Sequence, residues 1–465
     1  MTQGDSALRA APPARAPPFG SAPDGEAPSR PPHELPPPLP PGRDRRGWPI
    51  PIALALLGPF LALRAEACAD PSKAPQRLKT LLDEAAAVLA GVEAYQRHPL
   101  PPRRLDRPVL WSAGGARLLD YGGEGPVLVV APSLVNRATV LDLLDERSFM
   151  AGMARSGLRA LLLDWGEPSA EDLGLGLEGY ARERLAPALR AAARIGGEPP
   201  ALMGYCMAGA LCVGALSLEP GLARRFAATA APWDFRHMPG LEGLRRRSAE
   251  ISAGLEAAAA VFGAAPGEAL QTLFALRDPW TAARKFRDFA ALDLSGFEAR
   301  LFVALEDWAN DGVPLAPRVA REAFQDWFLR NKPSRGLWRL GPDRVDPRRY
   351  DRPVLIASGT RDAVAPPAAT RPLLEALPRA RLLEANAGHV GLIVGGGAAE
   401  KLWGPLAAFF AERTGEDRAA PPPGGDPAKR ESRRQKPPCG SRRPDAVSAQ
   451  ANAIILRSSG VLRRS

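Results

Sequence analysis

The stretch from Pro199 to Leu211 constrains the fold more than any other part of the chain. A short apolar strand signal, Ala201-Leu202-Met203, runs into Gly204-Tyr205-Cys206-Met207-Ala208-Gly209, and a small-residue helix pattern follows at once. A strand that turns directly into a helix around a nucleophile strains that residue's backbone and leaves no room for bulky neighbours. Gly204, Ala208 and Gly209 supply the smallness around Cys206. A thiol in place of a hydroxyl at such a turn points to acyl transfer from a thioester. The same residues also suit a buried structural cysteine behind an ordinary strand, because a free thiol packs as a small hydrophobe. The rest of the chain has to decide between the two.

Strand and helix signals alternate on both sides of this turn. Leu78, Leu81, Leu82, Ala85, Val88, Leu89 and Val92 have helical spacing over residues 74–96. Strands are expected at 109–111, 116–119, 126–131, 158–164, 226–230, 353–358 and 381–384, with helices at 148–156 and 177–195. Apolar strands alternating with helices imply a mainly parallel sheet covered on both faces. Between 232 and 350 the rhythm breaks. That helix-rich interval holds Trp233, Trp280, Trp308, Trp327 and Trp338 and reads as a helical cap inserted between late strands. For any single Trp, the core of a small helical subdomain is the favoured reading. The expected organisation is a disordered Pro-rich extension (1–46), an N-terminal helical segment (47–105), the first part of the core (106–231), the cap (232–350), the second part of the core (351–415) and a disordered basic tail (416–465).

The net charge of +10 invites a nucleic-acid reading, so its placement matters. Residues 416–465 carry eleven Lys/Arg against five Asp/Glu, or +6, and residues 1–50 carry six against five, or +1. Only +3 is left for the middle, so the basic charge belongs mostly to a tail and no specific nucleic-acid groove is expected. The cysteines, at 68, 206, 212 and 439, form no CxxC pair and no zinc spacing. Neither a metal nor a cofactor is expected, and a reduced, cytoplasmic setting fits best. Arg43 to Arg46 followed by the apolar run 48–63 imitates a secretory signal. That run begins nearly fifty residues in, is too short for a bilayer and contains Pro49, Pro51 and Pro59. A hydrophobic helix docking on the domain or on an apolar surface is the expectation.

A cysteine nucleophile needs a base within hydrogen-bond reach and a group that orients the base. Downstream of Cys206 stand two histidines. His389 sits in Asn386-Ala387-Gly388-His389-Val390-Gly391, in a loop after the last expected strand, whereas His237 opens the cap and suits a surface or packing role. Asp362 follows strand 353–358, which sets it at the sheet's C-terminal edge beside the His389 loop; it would also serve as a helix N-cap. The order Cys206, Asp362, His389 is the nucleophile–acid–histidine order of the α/β-hydrolase fold. An oxyanion hole would then use the amide of Met207 and one from the loop after strand 126–131, Leu134 or Val135, with Val135 favoured.

Several runs carry a closer likeness. Ser133-Leu134-Val135-Asn136-Arg137 through Val140-Leu141-Asp142-Leu143, Leu163-Asp164-Trp165-Gly166 and Gly204-Tyr205-Cys206 resemble polyhydroxyalkanoate synthases. So do Ala231-Pro232-Trp233-Asp234-Phe235, Trp308-Ala309-Asn310-Asp311 and Gly388-His389-Val390-Gly391, and the resemblance spans roughly 107–410. It implies Cys206 as nucleophile, His389 as base, Asp362 as its partner, Trp308 lining the substrate channel and Asp311 as a second-step helper. It also implies 3-hydroxyacyl-CoA as substrate, a polyester product and association with polyester granules. A homodimer or a helper subunit is left open. The synthase turn usually continues Cys-x-Gly-Gly, whereas this chain has Cys206-Met207-Ala208-Gly209, and the added methyl is expected to crowd the following helix. Two other outcomes use the same sequence: a thioesterase or polyester depolymerase with water as acceptor, and a noncatalytic granule-surface protein.

Overall fold

The computed structural model describes residues 46, 49, 74–267 and 279–412. Eight strands build the central sheet: β1 (Val109–Ala113), β2 (Ala116–Asp120), β3 (Val127–Ala131), β4 (Arg159–Asp164), β5 (Ala201–Tyr205), β6 (Arg225–Thr229), β7 (Val354–Gly359) and β8 (Ala380–Ala385). Their spatial order is β1-β2-β4-β3-β5-β6-β7-β8. The β1–β2 hairpin is antiparallel and β2 meets β4 antiparallel. Every pairing from β4 across to β8 is parallel. This is the α/β-hydrolase arrangement, and it aligns the C-terminal ends of β3 to β8 along one edge.

Strands β3 and β5 are buried at every residue, the pattern of a sheet covered on both faces. Alternate residues of β3 serve opposite layers. Val127, Val129 and Ala131 join one apolar cluster and Leu128 and Val130 the other. Helix α1 (Ala74–Arg97) precedes the sheet, and α2 (Phe149–Arg155) covers the second layer with Phe149, Met150 and Met153. Helices α3 (Ala186–Gly196) and α4 (Met207–Leu218) cover the first layer.

The insertion between β6 and β7 contains α5 (Ser248–Phe262), α6 (Pro279–Phe289) and α7 (Phe297–Asn310). Trp327 stands edge-on to Trp338 at 5.2 Å, and Trp338 edge-on to Trp233 at 6.1 Å. These three tryptophans are therefore core of the insertion and its seat on the sheet. Helix α1 packs Val88, Val92 and Tyr95 against Phe286, Phe289 and Phe302 of α6 and α7. Helix α8 (Gly404–Ala411) closes the second layer with Leu406, Phe409 and Phe410.

Arg46, counted in the sequence with the N-terminal extension, is tied to α7. Its Nε and Nη2 donate to the two carboxylate oxygens of Asp307 at 2.6 and 2.9 Å. The same guanidinium also donates to the carbonyls of His98 and Leu100. The apolar run 50–63, Cys68, Cys439 and the basic tail lie outside the described residues. Among the described residues no helix is long and apolar enough to cross a membrane.

Candidate active site

The turn after β5 has the strain its sequence implies. Cys206 sits at φ 57° and ψ −129°, a region that disfavours side chains with a Cβ. Its amide donates to the carbonyl of Thr229 at 2.9 Å, and its carbonyl accepts from the amide of Gly209 at 2.9 Å. A Cβ on Gly204 would lie 2.7 Å from the Gly209 Cα, and one on Gly209 only 2.3 Å from the Ala231 Cβ. Smallness is thus a steric demand at both glycines. Ala208 is fully buried with its methyl accommodated.

His389 arrives from the loop after β8 and Asp362 from the loop after β7. Because β7 and β8 are neighbours in the sheet, the two loops meet. Asp362 Oδ2 accepts from His389 Nδ1 at 2.7 Å. Asp362 Oδ1 accepts from the amides of Val364 and Ala365, both at 2.8 Å. The carboxylate closes its own turn with one oxygen and holds the imidazole with the other; it is not a helix N-cap, because the next helix begins at Pro367 with Pro366 in that position. With Nδ1 engaged, Nε2 remains for the thiol of Cys206, which also hydrogen-bonds the ring. Burial alone would lower the His389 pKa, yet the charges of Asp362 and Cys206 and their hydrogen bonds hold it well above the ordinary 6.5. The ring is thereby suited to hold a proton beside Cys206.

Cys212 makes a useful contrast. It is buried on α4, where burial pushes its thiol up and keeps it inert. His237 is half exposed beside Asp234, at the start of the insertion. Sequence reading missed Tyr205. Its ring stacks on the His389 imidazole at 5.3 Å and 29°, and its hydroxyl donates to the His389 carbonyl at 3.3 Å. The signal was an aromatic directly before Cys206 in a turn whose other positions, Met207 apart, are small.

Met207 opens α4, where the first amides of a helix have no intrahelical acceptor. Val135 is half-buried in the loop after β3. Since β3 lies beside β5, this loop sits at the same sheet edge as Cys206. Trp308 and Asp311, at the end of α7, come to that loop as well. Trp308 Nε1 donates to the Arg137 carbonyl at 2.9 Å, and Asp311 accepts from Arg137 Nε at 2.7 Å. Among the described residues no group of three or more His, Cys, Asp or Glu side chains is placed to hold a metal.

No family model matches the chain. Comparison with curated proteins finds the poly(3-hydroxyalkanoate) polymerase subunit PhaC of Haloferax mediterranei, 30% identical over 322 residues, 66% of this chain and 65% of that protein. The subunit of the same name from Haloarcula marismortui is 29% identical over 307 residues, 65% of this chain and 64% of that one. The one from Allochromatium vinosum is 28% identical over 351 residues, 73% of this chain and 94% of that one. The chain thus spans just under two thirds of the length of the first two relatives. Among solved structures, a monoacylglycerol lipase from Paleococcus ferrophilus matches at a TM-score of 0.42 and 14% identity, over 64% of this chain and 98% of that one. The strand order is that of an α/β-hydrolase, and in sequence the chain is similar to poly(3-hydroxyalkanoate) polymerase subunits.

Proposed function

We propose that the chain is an acyltransferase that builds polyester from 3-hydroxyacyl-CoA thioesters. The observation that carries this reading is a thiol, Cys206, at a strained strand-to-helix turn beside the hydrogen-bonded His389–Asp362 pair. A thiol exchanges with a thioester almost thermoneutrally, so this nucleophile suits an acyl-CoA better than a hydroxyl would.

In the first half-reaction Cys206 passes its proton to Nε2 of His389, and the thiolate attacks the thioester carbonyl. A bond forms between Sγ and the acyl carbon. The bond from that carbon to the CoA sulfur breaks, and the leaving thiolate takes the proton from His389. Asp362 fixes the imidazole tautomer and steadies its charge. The amides of Met207 and Val135 stabilise the tetrahedral oxyanion. In the second half-reaction a 3-hydroxyl of another unit gives its proton to His389 and attacks the acyl-Cys206 carbonyl. An ester forms and the thiol is restored. The product is a growing apolar chain, which is why association with a granule surface belongs to the same proposal.

Incubation with 3-hydroxybutyryl-CoA tests this directly. CoA release with insoluble polyester is expected, and Cys206→Ala is expected to abolish both. Free 3-hydroxybutyrate with no polyester would make the protein a hydrolase. Absence of CoA release, or wild-type turnover in Cys206→Ala, would overturn the reading.

A further inference from the structure

The loop after β3 is fastened along its length to the segment that follows α7. Asn136 and Gly312 form an antiparallel bridge. The Val313 amide donates to the Val135 carbonyl at 3.4 Å, and Trp308 Nε1 to the Arg137 carbonyl at 2.9 Å. The Arg137 guanidinium then spans two carboxylates. Its Nε donates to Asp311 at 2.7 Å, and its Nη2 to Glu167, in the loop after β4, at 2.8 Å. The far side of the segment is also held, because Leu315 and Ala265 exchange two backbone hydrogen bonds at 2.8 and 2.9 Å. Leu134, at the start of the loop, is buried in the core.

These bonds use the carbonyls of Val135 and Arg137 and the Arg137 side chain. None uses the amides of Leu134 or Val135, the second donor assigned to the oxyanion. Asp311 is already committed to Arg137, and the Trp308 indole to a main-chain carbonyl. We propose that Arg137 is a positioning residue, and that with Trp308 and Asp311 it splints the loop carrying the second oxyanion amide. The end of the cap helix then sets the geometry of the oxyanion hole instead of touching the acyl group. This inference rests on the thioester chemistry proposed above. It differs from a substrate-channel role for Trp308 and a second-step role for Asp311, both of which would act on substrate directly.

The experiment is a double-mutant cycle on Arg137→Ala and Asp311→Ala, with Trp308→Phe as a third variant that keeps an aromatic ring but removes the N–H. Each is assayed for CoA release from 3-hydroxybutyryl-CoA and for hydrogen exchange of the backbone in 133–137. Loss of a whole oxyanion donor costs about 10²–10³-fold in kcat. A loosened donor should therefore cost about tenfold, with KM little changed. The double variant should be no slower than the worse single, since both changes remove one contact. All three variants should exchange faster in 133–137. Additive losses would overturn the proposal. So would a rise in KM alone, or an Asp311→Ala defect that Arg137→Ala does not share. If the wild type releases no CoA, the proposed function fails, and exchange in 133–137 still decides whether the splint exists.

Discussion

Strain at Cys206 has a measurable consequence for stability that is independent of any substrate. At φ 57° and ψ −129° a Cβ is held in a conformation that costs about 1–3 kcal/mol. Cys206→Ala removes the sulfur and keeps that cost. Cys206→Gly removes the sulfur and the cost together. Glycine also adds freedom to the unfolded chain, which takes back about 0.4–1 kcal/mol. Both variants lose the same sulfur packing, so that term cancels between them. The glycine variant should accordingly be more stable than the alanine variant by about 1 kcal/mol. At an unstrained position in a regular element the order is reversed, with glycine lower by about 0.5–1 kcal/mol. Urea unfolding of the two variants, read as midpoints at equal slope, separates the cases. Neither variant should release CoA. If Cys206→Ala proved more stable than Cys206→Gly by the usual margin, the strained turn would be wrong, and with it the geometric basis for treating Cys206 as a raised nucleophile.

Three further outcomes are expected. Asp362→Asn should lower kcat for CoA release by about 10³–10⁴-fold through loss of imidazole orientation. Its stability should also change with pH: the raised His389 pKa contributes stability that is complete below the unfolded value of about 6.5 and is lost as pH rises through the folded value. The gap between wild type and Asp362→Asn should therefore be widest near pH 6 and narrow toward alkaline pH, as unfolding curves would record. Arg46→Ala should remove the guanidinium that pairs with Asp307, whose side chain is 16% exposed and which keeps a hydrogen bond from the Tyr95 hydroxyl. Breaking a fully buried pair costs about 3–5 kcal/mol, so about 2 kcal/mol is expected here, a drop of several degrees in a thermal scan. Gly209→Ala should destabilise by about 1–3 kcal/mol and sharply reduce CoA release, because its Cβ meets the Ala231 Cβ at 2.3 Å.

The sheet was legible because its strands are short apolar runs closed by turn residues, and because the two-sided burial of β3 and β5 leaves no polar alternation to mislead. The meeting of Asp362 and His389 was legible for a topological reason: each follows a strand at the sheet's C-terminal edge, and those strands are adjacent. What the sequence hid were contacts made across long separations by residues with ordinary surface chemistry. Nothing in Arg43-Asp44-Arg45-Arg46 distinguishes the arginine that clamps Asp307, 261 positions away, from its neighbours. Arg137 looks like a solvated charge until the end of α7 is brought beside it. The tryptophans of the insertion were ambiguous in the same way, and three of them resolve into a mutual aromatic core.

The one departure from the synthase pattern, Ala208, falls where the structure has room. The close approaches of the turn are made by Gly204 against the Gly209 backbone and by Gly209 against Ala231, and neither involves position 208. Ala208 is the second residue of α4, its methyl enclosed in the same core as Leu211 and Val213. The methyl therefore leaves intact the feature that raises Cys206, the tight glycine contacts on either side. Steric crowding at the turn gives no reason to prefer hydrolysis over transfer. That choice depends on what reaches the acyl-Cys206 carbonyl, a hydroxyl or water. A thiol at position 206 and a carboxylate-held imidazole are common to both outcomes, so the product formed, insoluble polyester or free 3-hydroxybutyrate, is what tells them apart.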